Sequence, residues 1–223
     1  MRVSARTGRR GSSVAGMKLA HDERLALVVT MAEFGPDAPT LCGEWTVRDL
    51  AAHLVLRERR PDAAAGIMVS ALSGYTERVQ ASIARGSFED LLEQIRTGPP
   101  VWSLMRPFDE QLNLAEMFVH HEDVRRGGPD WEPRILDPAW AGPLWAVARR
   151  MGRRAYRLAS CSVVLERPDG RRATVRSAGG ETVVLRGDPA ELALHAFGRD
   201  AVRLEATGPD QAVQGVMSLD RGI

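Results

Sequence analysis

Lysine is nearly missing from this chain: Lys18 is the only one among 30 basic residues, and all the others are arginine. The basic residues are matched by 29 acidic ones, leaving a net charge of +1, which excludes a generic nucleic-acid binder that works by charge alone. Cysteine is equally scarce. Cys42 and Cys161 lie far apart with no CxxC pair, so neither a disulfide framework nor a zinc-finger knuckle is available, and a reducing cytoplasm is the expected compartment. No apolar run is long enough to span a membrane, and residues 1–16, rich in Arg, Ser and Gly, lack the apolar centre of a secretory signal. Those sixteen residues are expected to be a disordered extension, and Met17 is an alternative start.

What remains is enough for a buried core, organised in two parts. Leu19, Leu25, Leu27, Val28 and Met31 mark a first helix that Gly35-Pro36 ends. Thr46-Val47-Arg48-Asp49 resembles a capping box opening a second helix, on which Leu50, His53, Leu54 and Arg57 fall on or near one face before Pro61 closes it. A looser helical stretch follows to Gly86, then a short helix from Ser87 that Gly98-Pro99-Pro100 stops. Trp102, Leu104, Met105 and Phe108 lead into a helix ended by Gly127-Gly128-Pro129, and Asp137-Pro138 caps another that runs to about Leu158. Beyond it, Ser162–Arg167 and Arg172–Ser177 flank Pro168-Asp169-Gly170 as a β-hairpin, Thr182–Arg186 reads as a third strand, Asp188-Pro189 opens a helix, and Val202–Ala206 reads as one more strand before a final helix from Asp210. The expectation is therefore α+β, with a helical domain at 17–158 followed by a small α+β domain at 159–223.

One constellation carries chemistry. On the helix before Gly127, Glu116 and His120 are four residues apart, so a carboxylate and an imidazole share one face and can reach a single divalent cation. His53, mid-helix among Ala51, Ala52, Leu54 and Val55, needs a partner there and supplies a third ligand. A His2Glu set leaves a position open, as a catalytic zinc site does. Asp123, three residues past His120, falls on the same face and can hold an imidazole N–H, or else pair with Arg126. His121 points about 100° away around the helix and is expected to be solvated or capping. Cys42 reads as a small packed side chain, because no basic partner lies beside it in sequence.

Two stretches resemble a known family. Trp45-Thr46-Val47-Arg48-Asp49-Leu50-Ala51-Ala52-His53-Leu54 together with Glu116-Met117-Phe118-Val119-His120-His121-Glu122-Asp123 is similar to the N-terminal domain of mycothiol-dependent maleylpyruvate isomerases, within the DinB-like metal-binding superfamily. The segments Pro36–Cys42 and Val55–Asp62 resemble an actinobacterial branch of it known only as metal-binding. The resemblance covers most of the chain. It implies a four-helix bundle holding a divalent metal, usually zinc, through His53, Glu116 and His120. It also implies a C-terminal sterol-carrier-like α+β domain, for which Leu185–Leu192 and Phe197-Gly198-Arg199 carry the likeness. That domain would help close the substrate site, with Arg199 as the residue to watch.

Superfamily likeness does not select a reaction. The leading expectation is a mycothiol-dependent isomerase or S-transferase, in which the open metal position binds and ionises a low-molecular-weight thiol that adds to an electrophilic small molecule, with Arg57 and Arg199 as candidates to hold its carboxylates. A metal-stabilised small-molecule or lipid receptor without turnover is the alternative, motivated by Val164, Val184, Leu192, Leu194 and Phe197. A hydrolase using metal-bound hydroxide is the third.

Overall fold

The protein, seen in a computed structural model, is described over residues 8–68, 72–100 and 110–221. The chain is mixed α+β and divides into two compact units, Met1–Trp131 and Glu132–Ile223. The start of the expected N-terminal extension, residues 1–7, lies outside the described residues, as do Trp102, Leu104, Met105 and Phe108.

The first unit is helical: α1 (Gly8–Phe34), α2 (Val47–Arg59), α3 (Pro61–Met68), α4 (Ser73–Ala84), α5 (Phe88–Thr97) and α6 (Glu110–Arg125). From Gly8 to Gly16 the expected disordered extension is instead the start of α1. Arginine and alanine propagate a helix at little cost once later residues have nucleated it. The start of α2 is fixed by the capping box, with Asp49 N donating to Thr46 Oγ1 at 3.4 Å and Thr46 N to Asp49 Oδ2 at 3.0 Å. Ser87 caps α5 by accepting from Asp90 N at 3.3 Å, and Gly98, at φ +70, releases the chain after it. One core draws Leu27, Val28 and Met31 from α1, Leu50 and Leu54 from α2, Leu91 and Ile95 from α5, and Met117 and Val124 from α6.

Buried polar pairs fix how these helices meet. Arg24 of α1 pairs with Glu58 of α2 at 2.5 Å and donates to the Ile95 carbonyl of α5 at 2.9 Å. His121 of α6, expected to be solvated or capping, is instead buried against α1. Its Nδ1–H donates to Glu23 Oε1 and its Nε2 accepts from Thr30 Oγ1, each at 2.8 Å. Rotation about the helix axis gives a residue's direction but not which directions are covered, and α6 is enclosed nearly all round.

The second unit contains a 3-10 turn at Pro138–Trp140 capped by Asp137, then α7 (Ala141–Ala155), β1 (Ser162–Glu166), β2 (Arg172–Arg176), β3 (Thr182–Arg186), α8 (Pro189–Ala196), β4 (Glu205–Thr207) and α9 (Asp210–Met217). The sheet order is β2-β1-β3-β4, antiparallel except for the parallel β1/β3 pair. Val163, Leu165, Val175, Val183 and Leu185 form its buried face. The helix expected to close the helical domain at residue 158 belongs here, because α7 lays Gly152 on the sheet. A Cβ at Gly152 would sit 3.1 Å from Val175 Cγ1 and 3.5 Å from Leu165 Cδ1. The apolar period of α7 revealed a helix with one covered face, not what covers it. Leu192 and Leu194, considered as lining for an apolar ligand, are fully buried in α8, while Val164 and Val184 are half-buried on strands β1 and β3. No helix among the described residues is long and apolar enough to cross a membrane.

Inside the second unit, the Tyr156 hydroxyl donates to His195 Nδ1 at 2.6 Å, and both side chains are fully buried. Burial, with the charge of Arg221 adding to it, pushes the His195 imidazole down to about 4. An imidazole whose folded pKa lies below its unfolded value near 6.5 stabilises the fold above pH 6.5, and that contribution is lost as pH falls toward 4. The expected loss is about 2 kcal/mol at pH 5, rising to about 3 kcal/mol below pH 4. Thermal melts at pH 7 and pH 5 should show the difference in the wild type and a smaller one in His195→Gln.

Candidate metal centre

Helices α2 and α6 each contribute one residue pair at i, i+4 spacing: His53 and Arg57 from α2, Glu116 and His120 from α6. All three basic side chains converge on one oxygen. Glu116 Oε1 lies 3.3 Å from His120 Nε2, 3.8 Å from His53 Nε2 and 3.3 Å from Arg57 Nε. The rings of His53 and His120 stand edge to face with centroids 5.5 Å apart, and the Trp45 ring lies 5.2 Å from that of His53. His53 is buried, and the Glu116 side chain keeps 22 % of its surface exposed, so the centre has an outlet.

The connector between α1 and α2 forms one wall. Pro39 and Thr46 form an isolated antiparallel bridge, Thr40 Oγ1 donates to the Trp45 carbonyl at 2.7 Å, and Gly43 turns the chain at φ +65. This tight loop delivers Cys42. Its thiol donates to Asp123 Oδ2 at 3.1 Å and lies 3.9 Å from His120 Nδ1. Asp123 is completely buried, and the same Oδ2 accepts from His120 Nδ1–H at 2.9 Å. Asp123 thereby fixes the N–H on Nδ1 and leaves Nε2 of the same ring facing Glu116.

Two groups of side chains among the described residues could hold a metal ion: His53, Glu116 and His120, and Cys42, His120 and Asp123. Their distances separate them. Ligands about 2.0–2.2 Å from a tetrahedral zinc lie roughly 3.3–3.6 Å from one another. The contacts of Glu116 Oε1 with the two Nε2 atoms bracket that range, and all three ligand atoms of this first group lie within 4.8 Å of one another. In the second group the contacts of 2.9 and 3.1 Å have hydrogen-bond lengths, and they engage Nδ1. The donor set of His53, Glu116 and His120 therefore fits a divalent ion, with Asp123 and Cys42 behind His120.

The electrostatics agree with this division. Burial alone would raise the Glu116 carboxyl, but the close approach of the His120 and His53 imidazoles and the charges of His120 and Arg57 hold it well below its usual range. Burial likewise pulls His120 down, yet Asp123, Cys42 and Glu116 hold it well above an ordinary imidazole. His53 is lowered by burial, with the charges of His120 and Arg57 adding to the effect. Without a metal the centre is thus an ion pair of Glu116 and His120 beside a neutral His53, and loading a cation displaces the proton of His120.

Of the other residues singled out in the sequence, Arg57 joins the centre. Arg199 belongs to the second unit, where it follows Gly198 (φ +84) at the end of α8 and donates to the Phe197 carbonyl at 2.6 Å. Cys42 is the residue that sequence reasoning missed, since 81 positions separate it from Asp123. Gly127, read only as a helix stop, was underestimated too. A Cβ there would lie 2.0 Å from the Pro39 carbonyl oxygen and 2.8 Å from Thr40 Cα, so only glycine lets α6 end against the connector, where Leu41 N also donates to the Asp123 carbonyl at 3.0 Å.

Against known proteins, no family model matches the chain, and no curated protein or solved structure matches it significantly.

Gly127→Ala should push the connector off α6 and lower stability in a urea titration by about 1–3 kcal/mol, the usual range for overpacking. Asp123→Asn should weaken zinc affinity about 10–100-fold in a competition titration against a chromophoric chelator, the magnitude expected when the hydrogen-bond partner of a ligand histidine is altered.

Proposed function

We propose that this chain is a divalent-metal enzyme of the DinB-like superfamily, a mycothiol-dependent isomerase or S-transferase acting on an electrophilic small molecule. The observation that carries the reading is the convergence of His53 Nε2 and His120 Nε2 on Glu116 Oε1, since these are the three positions at which the resemblance in sequence puts metal ligands. Zinc is the ion that suits two imidazoles and a carboxylate with a position left over. Bound there, it would supply the Lewis acidity that ionises a thiol near neutral pH.

The residues around the centre divide the remaining work. Asp123 fixes the tautomer and orientation of His120, and Cys42 braces Asp123 from the connector. Trp45 packs against the His53 ring at a tilt of 45° and helps to hold it. A thiolate sulfur that adds to an unsaturated carbon, waits for rotation about the resulting single bond and then leaves would isomerise its substrate; addition alone would conjugate it. A fourth protein ligand would favour a closed structural site, but among the described residues the ligand-type side chains of Asp123 and Cys42 meet His120 on its Nδ1 side. That arrangement supports an enzyme over a metal-stabilised receptor.

The test is elemental analysis of wild type, His53→Ala and His120→Ala, followed by calorimetric titration of mycothiol into the zinc-loaded protein. One equivalent of zinc in the wild type, lost in both variants together with thiol binding, is the expected result. Zinc that is retained in His120→Ala would break the ligand assignment. Zinc that ignores thiols would shift the reading to a hydrolase or a receptor.

A further inference from the structure

We infer a second cation position behind the first: the Cys42 thiol, His120 Nδ1 and Asp123 Oδ2 form a donor set for a thiophilic divalent ion, back to back with the first ion across the His120 ring. The inference goes beyond the metal reading above and shares only His120 with it. The connector places Cys42 Sγ 3.1 Å from Asp123 Oδ2 and 3.9 Å from His120 Nδ1, and 2.9 Å separates that nitrogen from the carboxylate oxygen. A tetrahedral ion about 2.3 Å from sulfur and about 2.0–2.2 Å from nitrogen and oxygen spaces such atoms roughly 3.3–3.7 Å apart. The contact between sulfur and nitrogen therefore has to close slightly, and the two contacts of Oδ2 have to open by about half an ångström, a shift within the reach of one carboxylate.

Charge explains why such an ion can enter a buried place. Without it, the three atoms are joined through two protons, one on the thiol and one on Nδ1. A divalent ion releases both protons and brings the same two positive charges, so the net charge among these groups does not change. The cost of an uncompensated buried charge, the usual obstacle beside a group as enclosed as Asp123, is thus avoided. Cys42 is only half-buried, so the set is not sealed from solvent. Softness sorts the two positions. The first set, two imidazoles and a carboxylate, holds no sulfur, whereas the second has a thiolate, the donor that selects soft ions such as cadmium. His120 turns Nε2 to one and Nδ1 to the other, and with both positions filled its ring has given up both N–H protons and bridges the ions.

Cadmium is the probe. Wild type, Cys42→Ser, Cys161→Ser and His53→Ala, each first supplied with one equivalent of zinc, are titrated with cadmium chloride. Ultraviolet sulfur-to-metal charge-transfer absorption follows the titration, and elemental analysis after desalting counts both metals. Wild type should end with one zinc and one cadmium and show the charge-transfer band. Cys42→Ser should keep its zinc and lose both the cadmium and the band, whereas Cys161→Ser should match wild type. His53→Ala, unable to hold zinc, should still take one cadmium with the band. No cadmium in wild type, or a band that survives in Cys42→Ser, would overturn this inference and leave the first centre standing. Cadmium that replaces zinc one for one would overturn it as well, because the thiol would then serve a single shared ion. Absence of zinc from wild type would overturn the metal reading alone, and the cadmium count and band would still decide this one.

Discussion

The carboxylate of Asp123 is the constraint on which the candidate centre depends. It is fully buried, and an unpartnered carboxylate in that position would cost several kcal/mol. Two donors on one oxygen offset this: the imidazole N–H of His120 from its own helix and the thiol of Cys42 from the connector, with the backbone carbonyl of Asp123 bonded in turn to Leu41. One residue therefore aims a ligand ring and anchors the loop that walls the site. Losing the carboxylate would leave the His120 ring free to rotate and the Cys42 thiol without its acceptor.

The same logic of partnered burial runs through the helical unit. Helix α6 presents a different polar group in almost every direction: Glu116, His120 and Asp123 toward α2 and the connector, His121 toward Glu23 and Thr30 of α1, and Glu122 toward Arg125 and Arg126, the last at 2.6 Å with its guanidinium over Trp131. Each pair is weak evidence of net stability, since desolvation consumes much of what the contact returns. Those that reach another element are strong evidence of register, because sliding or turning α6 would strand His121, Asp123 and Glu116 at once. The register that satisfies them is also the one that brings Glu116 Oε1 between two imidazoles.

Much of this was legible in the sequence, for identifiable reasons. The capping box at Thr46 and Asp49, the cap at Asp188 and the hairpin around Asp169-Gly170 are local signals, and local geometry answered them. The pairs His53/Arg57 and Glu116/His120 were readable because i, i+4 spacing on a helix is fixed by its pitch. What failed were readings that depended on which surfaces pack together. Helix α7 showed its apolar face but not that a sheet covers it, which moved the boundary between units from residue 158 to 131. His121 was misread because α6 has no solvent face on that side, and Cys42 because its partner is 81 residues away. Spacing reports what a helix can present; only packing decides what meets it.

That distinction bears on how the centre can work. His53, Arg57, Glu116 and His120 all stand on helices whose registers are locked by buried pairs, so their separations are fixed before any ligand arrives. Such preorganisation lowers the entropy lost on binding and holds charge where a reacting group will need it. The connector from Pro39 to Thr46 is the exception, a turn-rich loop fastened to α6 by a few hydrogen bonds and the close approach at Gly127. It touches the centre through Cys42, at the Nδ1 side of the His120 ring, and through Trp45, beside the His53 ring. Substitutions there would retune the ligands through their backing without altering the ligand atoms, whereas changes on α2 and α6 would alter the donor set itself. On the proposed reading, adaptation to a substrate is to be sought in the connector, and choice of metal in His53, Glu116 and His120.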